Sequence, residues 1–176
     1  VTLPAGGGSY TVSLTGGILV VTDASNTRLF ELAPGEFTGL VIEGGSGNDI
    51  VTLDASVAAV SNAITFNGND GNDSLDASAG SFAPTMNGGL GNDTFTGGAG
   101  AEMFIGDGGD DSATGGAGND TLFGGAGNDT VSGGDNDDSV NGGSANAAAG
   151  EAAVYSEDGH TLVFKRDGAL MPVWPW

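Results

Sequence analysis

From residue 88 to residue 150 the chain reads GGLGNDTFT, GGAGAEMFI, GDGGDDSAT, GGAGNDTLF, GGAGNDTVS, GGDNDDSVN and GGSANAAAG, seven nonapeptides without a gap. Two further copies lie upstream, GGSGNDIVT from Gly44 and GNDGNDSLD from Gly68. Glycine holds the first position in all nine copies and aspartate the sixth in seven. Apolar residues hold the eighth: Val51, Leu75, Phe95, Phe104, Leu122, Val131 and Val140, with only Ala113 and Ala149 small. One inward side chain in every nine residues describes a thin solenoid core. A disordered acidic tract would not hold Asp to one phase of the period and Val, Leu and Phe to another.

Composition narrows the partners. The 176 residues suit one domain, or a domain with a small cap, and 35 glycines without a collagen-like period exclude an ordinary helical or Rossmann-type core. Three basic residues against 23 acidic ones leave a charge of −20, which repels nucleic acid and anionic membrane surfaces and attracts cations. The longest fully apolar run, ILVV at residues 18–21, is too short to insert in a bilayer. Without cysteine there is neither a disulfide framework nor a thiolate metal site. The chain starts at Val1 with no leader pattern, and is expected to be part of a longer protein with other domains.

The repeat resembles the glycine- and aspartate-rich motif of RTX (hemolysin-type) proteins, G-G-x-G-x-D-x-U-x, over residues 44–150. The resemblance implies an all-β fold, a right-handed parallel β-roll (β-solenoid), in which a six-residue turn and a three-residue strand alternate and two nonapeptides make one coil. The eighth-position residues then sort into two ladders. Val51, Leu75, Phe95, Ala113 and Val131 form one, and Ile42, Phe66, Met86, Phe104, Leu122 and Val140 the other. Gly44 to Gly68 and Gly68 to Gly88, at 24 and 20 residues, are each close to a whole coil. The segments LDASVAAVSNAITF and LDASAGSFAPTM therefore belong to wider coils, with a plain loop where a second acidic turn would stand. Loops starting at 44, 68, 88, 106, 124 and 142 are expected along one edge, and those at 97, 115 and 133 along the other.

Coils in a parallel stack lie about 4.8 Å apart, so each edge aligns a row of carboxylates that repel one another unless cations intervene. Carboxylates and turn carbonyls at this density suit Ca²⁺, a hard ion that accepts several flexible oxygen ligands, better than Zn²⁺ or Mg²⁺. By resemblance, each ion lies between loops one coil apart. The lower loop offers the carbonyls of its second and fourth positions, the upper loop those of its first and third, and each sixth-position Asp serves the sites above and below. On the first edge this places Gly45, Gly47 and Asp49 against Gly68, Asp70 and Asp73, and Asn69, Gly71 and Asp73 against Gly88, Leu90 and Asp93. Next come Gly89, Gly91 and Asp93 against Gly106, Gly108 and Asp111, then Asp107, Gly109 and Asp111 against Gly124, Ala126 and Asp129. On the second edge Gly98, Gly100 and Glu102 face Gly115, Ala117 and Asp120, and Gly116, Gly118 and Asp120 face Gly133, Asp135 and Asp138. Glu102 departs from the motif with a longer arm, and Ala147 removes the carboxylate from the last loop and weakens the site below it. About five to seven ions follow for oxygen-lined sites of this kind, and seven divalent ions would bring −20 to −6.

Residues 1–43 read as strands, TVSL, ILVVTD, RLFEL and LVIE, that continue or cap the solenoid. Residues 151–176 leave the repeat, and AAVYS and TLVFK around Asp158-Gly159 signal a hairpin that caps its end. His160 reads as an exposed turn residue, and no HExxH, G-x-S-x-G or cysteine nucleophile is present, so no catalytic residue is assigned. Trp174 and Trp176 are read as cap packing or a partner surface rather than a sugar platform.

The residues thus point to a non-catalytic calcium-binding module, and the resemblance implies that it belongs to a secreted, extracellular or surface-bound bacterial protein. The resemblance adds export by type I secretion machinery, unfolded, with folding outside. Each nonapeptide buries about one side chain, worth about 2 kcal/mol, against about 1 to 2 kcal/mol per residue of backbone entropy, so metal binding must be part of folding. The alternatives are an adhesive or polysaccharide-binding scaffold, and the C-terminal module of a secreted protease, lipase or alginate-modifying enzyme.

Overall fold

A computed structural model describes residues 1–33, 39–59 and 63–143, with the strands at 152–155, 163–166 and 169–171. Ala147, Ala149, the Asp158-Gly159 turn, His160, Leu162, Trp174 and Trp176 lie outside the described residues.

The period of the repeat is also the period of the pairing. One sheet stacks β4 (Leu40–Glu43), β6 (Ile64–Asp70), β8 (Thr85–Leu90), β10 (Met103–Gly108), β12 (Thr121–Ala126) and β14 (Ser139–Asn141) in parallel. The facing sheet stacks β1 (Gly8–Thr15), β5 (Asp49–Leu53), β7 (Ser74–Asp76), β9 (Thr94–Thr96), β11 (Ser112–Ala117) and β13 (Thr130–Asp135), also in parallel. Among the described residues the first sheet has six strands, and the second has eleven because further strands, one parallel and four antiparallel, extend its ends. The chain is an all-β parallel solenoid, and its one described helical piece is the 3-10 turn Ala55–Ala59.

Both apolar ladders form as the sequence predicts. Val51 pairs with Leu75, Leu75 with Phe95, Phe95 with Ala113 and Ala113 with Val131. On the other sheet Ile42, Phe66, Met86, Phe104, Leu122 and Val140 align in turn. The ladders meet across the interior, where the rings of Phe95 and Phe104 stack with centroids 5.7 Å apart. From Phe95 to Val131 this narrow apolar column is the core, with residues such as Leu40, Leu53, Ile64 and Phe82 widening it in the earlier coils, so coil spacing and column contact must agree at each level.

The N-terminal coil uses the same scheme with a longer return. Thr2 bridges Glu43 in parallel, Gly8 pairs with Asp49, and Tyr10 enters the first ladder beneath Val51. Between these contacts and the next coil, β2 (Ile18–Asp23) adds antiparallel to β1 and β3 (Arg28–Leu32) antiparallel to β2. At the opposite end β15 (Ala152–Tyr155) pairs parallel with β13, and β16 (Val163–Arg166) and β17 (Ala169–Met171) follow antiparallel. The expected hairpin is thus present between β15 and β16.

The wider coils differ from simple plain loops. In the first, Leu53, Val57 and Ile64 are buried and fill the space of a missing turn. In the second, Phe82 is fully buried, and loop 79–84 keeps an 18-residue register with loop 97–102, because Thr85 pairs with Met103. The two additional residues of that coil are taken up before this loop, in the bend after β7.

Candidate metal centre

The sixth-position aspartates build two rows. On the first edge Asp49, Asp73, Asp93, Asp111 and Asp129 stack at successive levels, all at most 2% exposed. Each carboxylate above accepts the backbone N–H of the aspartate below. Asp49 N donates to Asp73 Oδ1 (2.8 Å), Asp73 N to Asp93 (2.7 Å), Asp93 N to Asp111 (2.8 Å) and Asp111 N to Asp129 (2.9 Å). The second edge repeats this with Glu102 N to Asp120 Oδ1 (2.8 Å) and Asp120 N to Asp138 Oδ1 (2.9 Å).

That bond, replaced at Asp49 and Glu102 by one from Gly45 N and Gly100 N of the same loop, leaves one oxygen per carboxylate. Asp49 Oδ1 and the Oδ2 atoms of Asp73, Asp93, Asp111, Asp120 and Asp129 are buried with no hydrogen-bond partner, as is Glu102 Oε2. Buried acceptors without partners are rare and costly. Their position explains the invariant first glycine, since a β-carbon at Gly106 would overlap Asp111 Oδ2 and the Gly124 carbonyl oxygen.

Main-chain carbonyls turn into the same gaps. The second-position carbonyls of Asn69 and Asp107 rise against Gly89 and Gly125 of the coil above, and the fourth-position carbonyls of Gly71, Gly91 and Gly109 against Gly91, Gly109 and Gly127. The first-position carbonyls of Gly68, Gly88, Gly106 and Gly124 point back toward the glycine one coil below. Third-position carbonyls of Leu90, Gly108 and Ala126 accept the fourth-position N–H below them, at 2.8 to 2.9 Å, and keep a second lone pair. On the second edge Gly98 and Gly100 carbonyls rise against Gly116 and Gly118, Gly116 O rises against Gly134, and those of Gly115 and Gly133 descend. The side chains of Asp70, Asp107 and Asp135 are exposed at the rim, so these positions offer the gap their backbone alone. Among the described residues no three acidic or imidazole side chains converge on one point. Any ion here must draw on two carboxylates at most and complete its shell with carbonyls, a donor set that fits Ca²⁺.

Electrostatics follows from this packing. Burial raises the carboxyls of Asp49, Asp73 and Asp129 above their ordinary range. Asp93 is pushed up to about 7 and Asp111 to about 6, by burial first and then by neighbouring carboxylates that include Asp107. Glu102 reaches about 8 through burial and its contact with Asp120. Without a counter-cation Asp93 and Glu102 hold protons near neutral pH.

A second ladder had no counterpart in the sequence reasoning. The fifth-position side chains bond upward: Asn72 N donates to Asn48 Oδ1, Asn92 N to Asn72, Asp110 N to Asn92 and Asn128 N to Asp110, at 2.8 to 2.9 Å. Asp137 N donates to Asn119 Oδ1 at 3.3 Å on the other edge. The signal was present in the recurring Asn-Asp pair of the repeat, where only the aspartate was given a task. The two ladders run in opposite senses and fix the height of each loop above the last.

The family model of the RTX calcium-binding nonapeptide repeat matches this chain in four copies, at residues 41–55, 65–81, 85–113 and 114–146, more than half of its length. No curated protein and no solved structure matches it.

Proposed function

Because the chain belongs to the RTX calcium-binding nonapeptide-repeat family, whose repeats bind calcium and occur in secreted bacterial proteins, we propose that it is a non-catalytic module that folds on calcium outside the cell. The observation that carries this is the set of buried carboxylate oxygens without hydrogen-bond partners along both rows. A chain of charge −20 with so narrow a core gains too little from apolar burial to hold such groups unpaired. Bound calcium supplies the counter-charge, and the protein's task is to present carboxylates and carbonyls at fixed height. Export by type I secretion suits this chemistry, since calcium-poor conditions inside the cell keep the chain unfolded until release.

The ligand sets are those expected from the motif, with about five to seven ions for carbonyl-rich sites of this class. Among the described residues no helix is long and apolar enough to cross a membrane. Far-UV circular dichroism during a calcium titration tests the proposal. The chain should be largely disordered in chelator and gain β structure cooperatively as calcium rises toward about 10⁻⁴ to 10⁻³ M. A full β spectrum in excess chelator would sink it.

A second reading is favoured by the outer face of the eleven-stranded sheet. There Ser74, Thr94, Ser112 and Thr130 form one outward column and Thr52, Asp76, Thr96, Thr114 and Ser132 another. Such regular hydroxyls would suit a polysaccharide-binding scaffold, and co-sedimentation of the calcium-loaded chain with insoluble glycans distinguishes it from a folding module alone.

A further inference from the structure

The sixth-position column on the second edge reads Leu40, Ile64, Pro84, Glu102, Asp120 and Asp138 from the N-terminal end. It changes from apolar to acidic between Pro84 and Glu102, so the first carboxylate of this row rests on a loop that has none. We propose that a further cation site lies there, between loops 79–84 and 97–102, with Glu102 as its one charged ligand and the Gly80 and Phe82 carbonyls as its floor. The site extends the calcium reading above and rests on it.

The first support is the state of Glu102 itself. Every aspartate above it accepts an N–H from the sixth residue below, but Pro84 has no N–H to donate. Glu102 Oε1 turns instead to its own loop and accepts Gly100 N at 3.0 Å. The unpartnered Oε2 lies beside Gly97 and the Gly115 carbonyl, in the gap above, so Oε1 with its second lone pair is the oxygen turned toward the floor.

The second support comes from the floor. A β-carbon at Gly98 would overlap the Gly80 oxygen and stand 2.8 Å from Ala77 O. One at Gly100 would overlap Phe82 O and stand 2.8 Å from Glu102 Oε1, so a carbonyl and a carboxylate oxygen flank the same point. On the other edge, Asn69 and Gly71 carbonyls meet Gly89 and Gly91 one coil up in this same relation. Loop 79–84 thus keeps the carbonyl pattern of an acidic turn after losing its aspartate, and the buried Phe82 ring anchors it to the core.

The extra methylene of Glu102 then has a purpose. With no carboxylate beneath, the upper loop must supply the charge across the whole gap, and glutamate reaches one carbon further than aspartate. The ligand class is a hard divalent or trivalent cation that completes its shell with water. A site with one carboxylate should fill after those with two.

Anomalous diffraction from crystals of the full chain loaded with terbium(III), with ions per chain counted by native mass spectrometry in calcium, tests this. A peak in the gap between loops 79–84 and 97–102 is expected. Glu102→Asp, which restores the usual residue of the repeat and keeps the site shared with Asp120, should carry one calcium fewer than the unaltered chain. Peaks along the rows with none in this gap, or an unchanged count in Glu102→Asp, would overturn the site and leave the calcium reading intact. A chain that takes up no ion in any gap would overturn both.

Discussion

Asp110 and Asp111 are adjacent, carry the same charge, and have different duties. Asp111 is buried in the row with an unpartnered oxygen, whereas Asp110 is exposed and serves the upward ladder that Asn fills at most other levels. Asp111→Asn should therefore remove two adjacent ions, and Asp110→Asn should remove none and weaken binding only a few-fold through lost attraction. Isothermal titration counting both variants decides this, and equal losses would contradict the site map. The rows also set a pH dependence. A carboxyl held in the fold above its unfolded value near 4 keeps its proton longer in the fold. Stability of the metal-free roll from this source is therefore fullest below about pH 4. It is lost as pH rises through about 6 for Asp111, 7 for Asp93 and 8 for Glu102. Calcium needs the same oxygens deprotonated, so its affinity should move the opposite way and fall as pH drops through that window. In calcium-free buffer the chain should gain β structure by circular dichroism as pH falls from about 8 toward about 4, and a spectrum unchanged over that range would argue against proton-holding carboxyls.

At the scale of the turn, conformation and site are one requirement. In the loops starting at 68, 88, 106, 115, 124 and 133, though not in those at 44 and 97, the second and fourth positions take positive φ: Gly91 lies at +124° and Gly109 at +142°, while Asn69 and Asp107 adopt +78° and +68° at second positions. Asn and Asp tolerate the left-handed region better than other side chains, which is why the motif relaxes there to GN and GD. The first position relaxes nowhere, because its missing β-carbon is where the aspartate oxygen sits. Gly106→Ala should accordingly raise the calcium midpoint severalfold or abolish folding. Gly108→Ala, whose added carbon would meet nothing nearer than Leu90 Cδ2 at 3.6 Å, should fold at the original midpoint. Circular dichroism titrations of the pair check this, and a tolerant Gly106 would remove the stated reason for the invariant glycine. In the wide coils the residues equivalent to the first glycine are Leu53 and Ala77, both buried, since no aspartate oxygen competes for the space.

Across the whole molecule, stability is a property of the stack. The six-stranded sheet ends at β14 without a described neighbour, whereas β13 is covered by β15 and the hairpin strands beyond. In a one-dimensional array an uncovered terminal coil frays first and a covered one can nucleate the rest. Deleting residues 151–176 should therefore raise the calcium needed for folding and broaden the transition, although no complete ligand set is removed. Unchanged midpoint and steepness in the truncated chain would make the segment a passive tail.

How much of this was legible differs by level for a physical reason. A strict period couples sequence to height in the stack, so the repeat alone determined the fold class, both apolar ladders from Ile42 to Val140 and from Val51 to Val131, and the aspartate rows. Each follows from nearest-neighbour stacking, which needs only a register. What the period does not encode had to come from the tertiary structure. The strands of residues 1–43 were legible, but that Tyr10 extends a ladder while β2 and β3 stand outside it depends on a 41-residue step from Gly8 to Asp49 with no repeat to mark it. The upward asparagine ladder and the floor under Glu102 likewise depend on where backbone N–H and carbonyl groups point between coils. Those directions are decided by the turns acting on one another across the gap, and no single nonapeptide contains them.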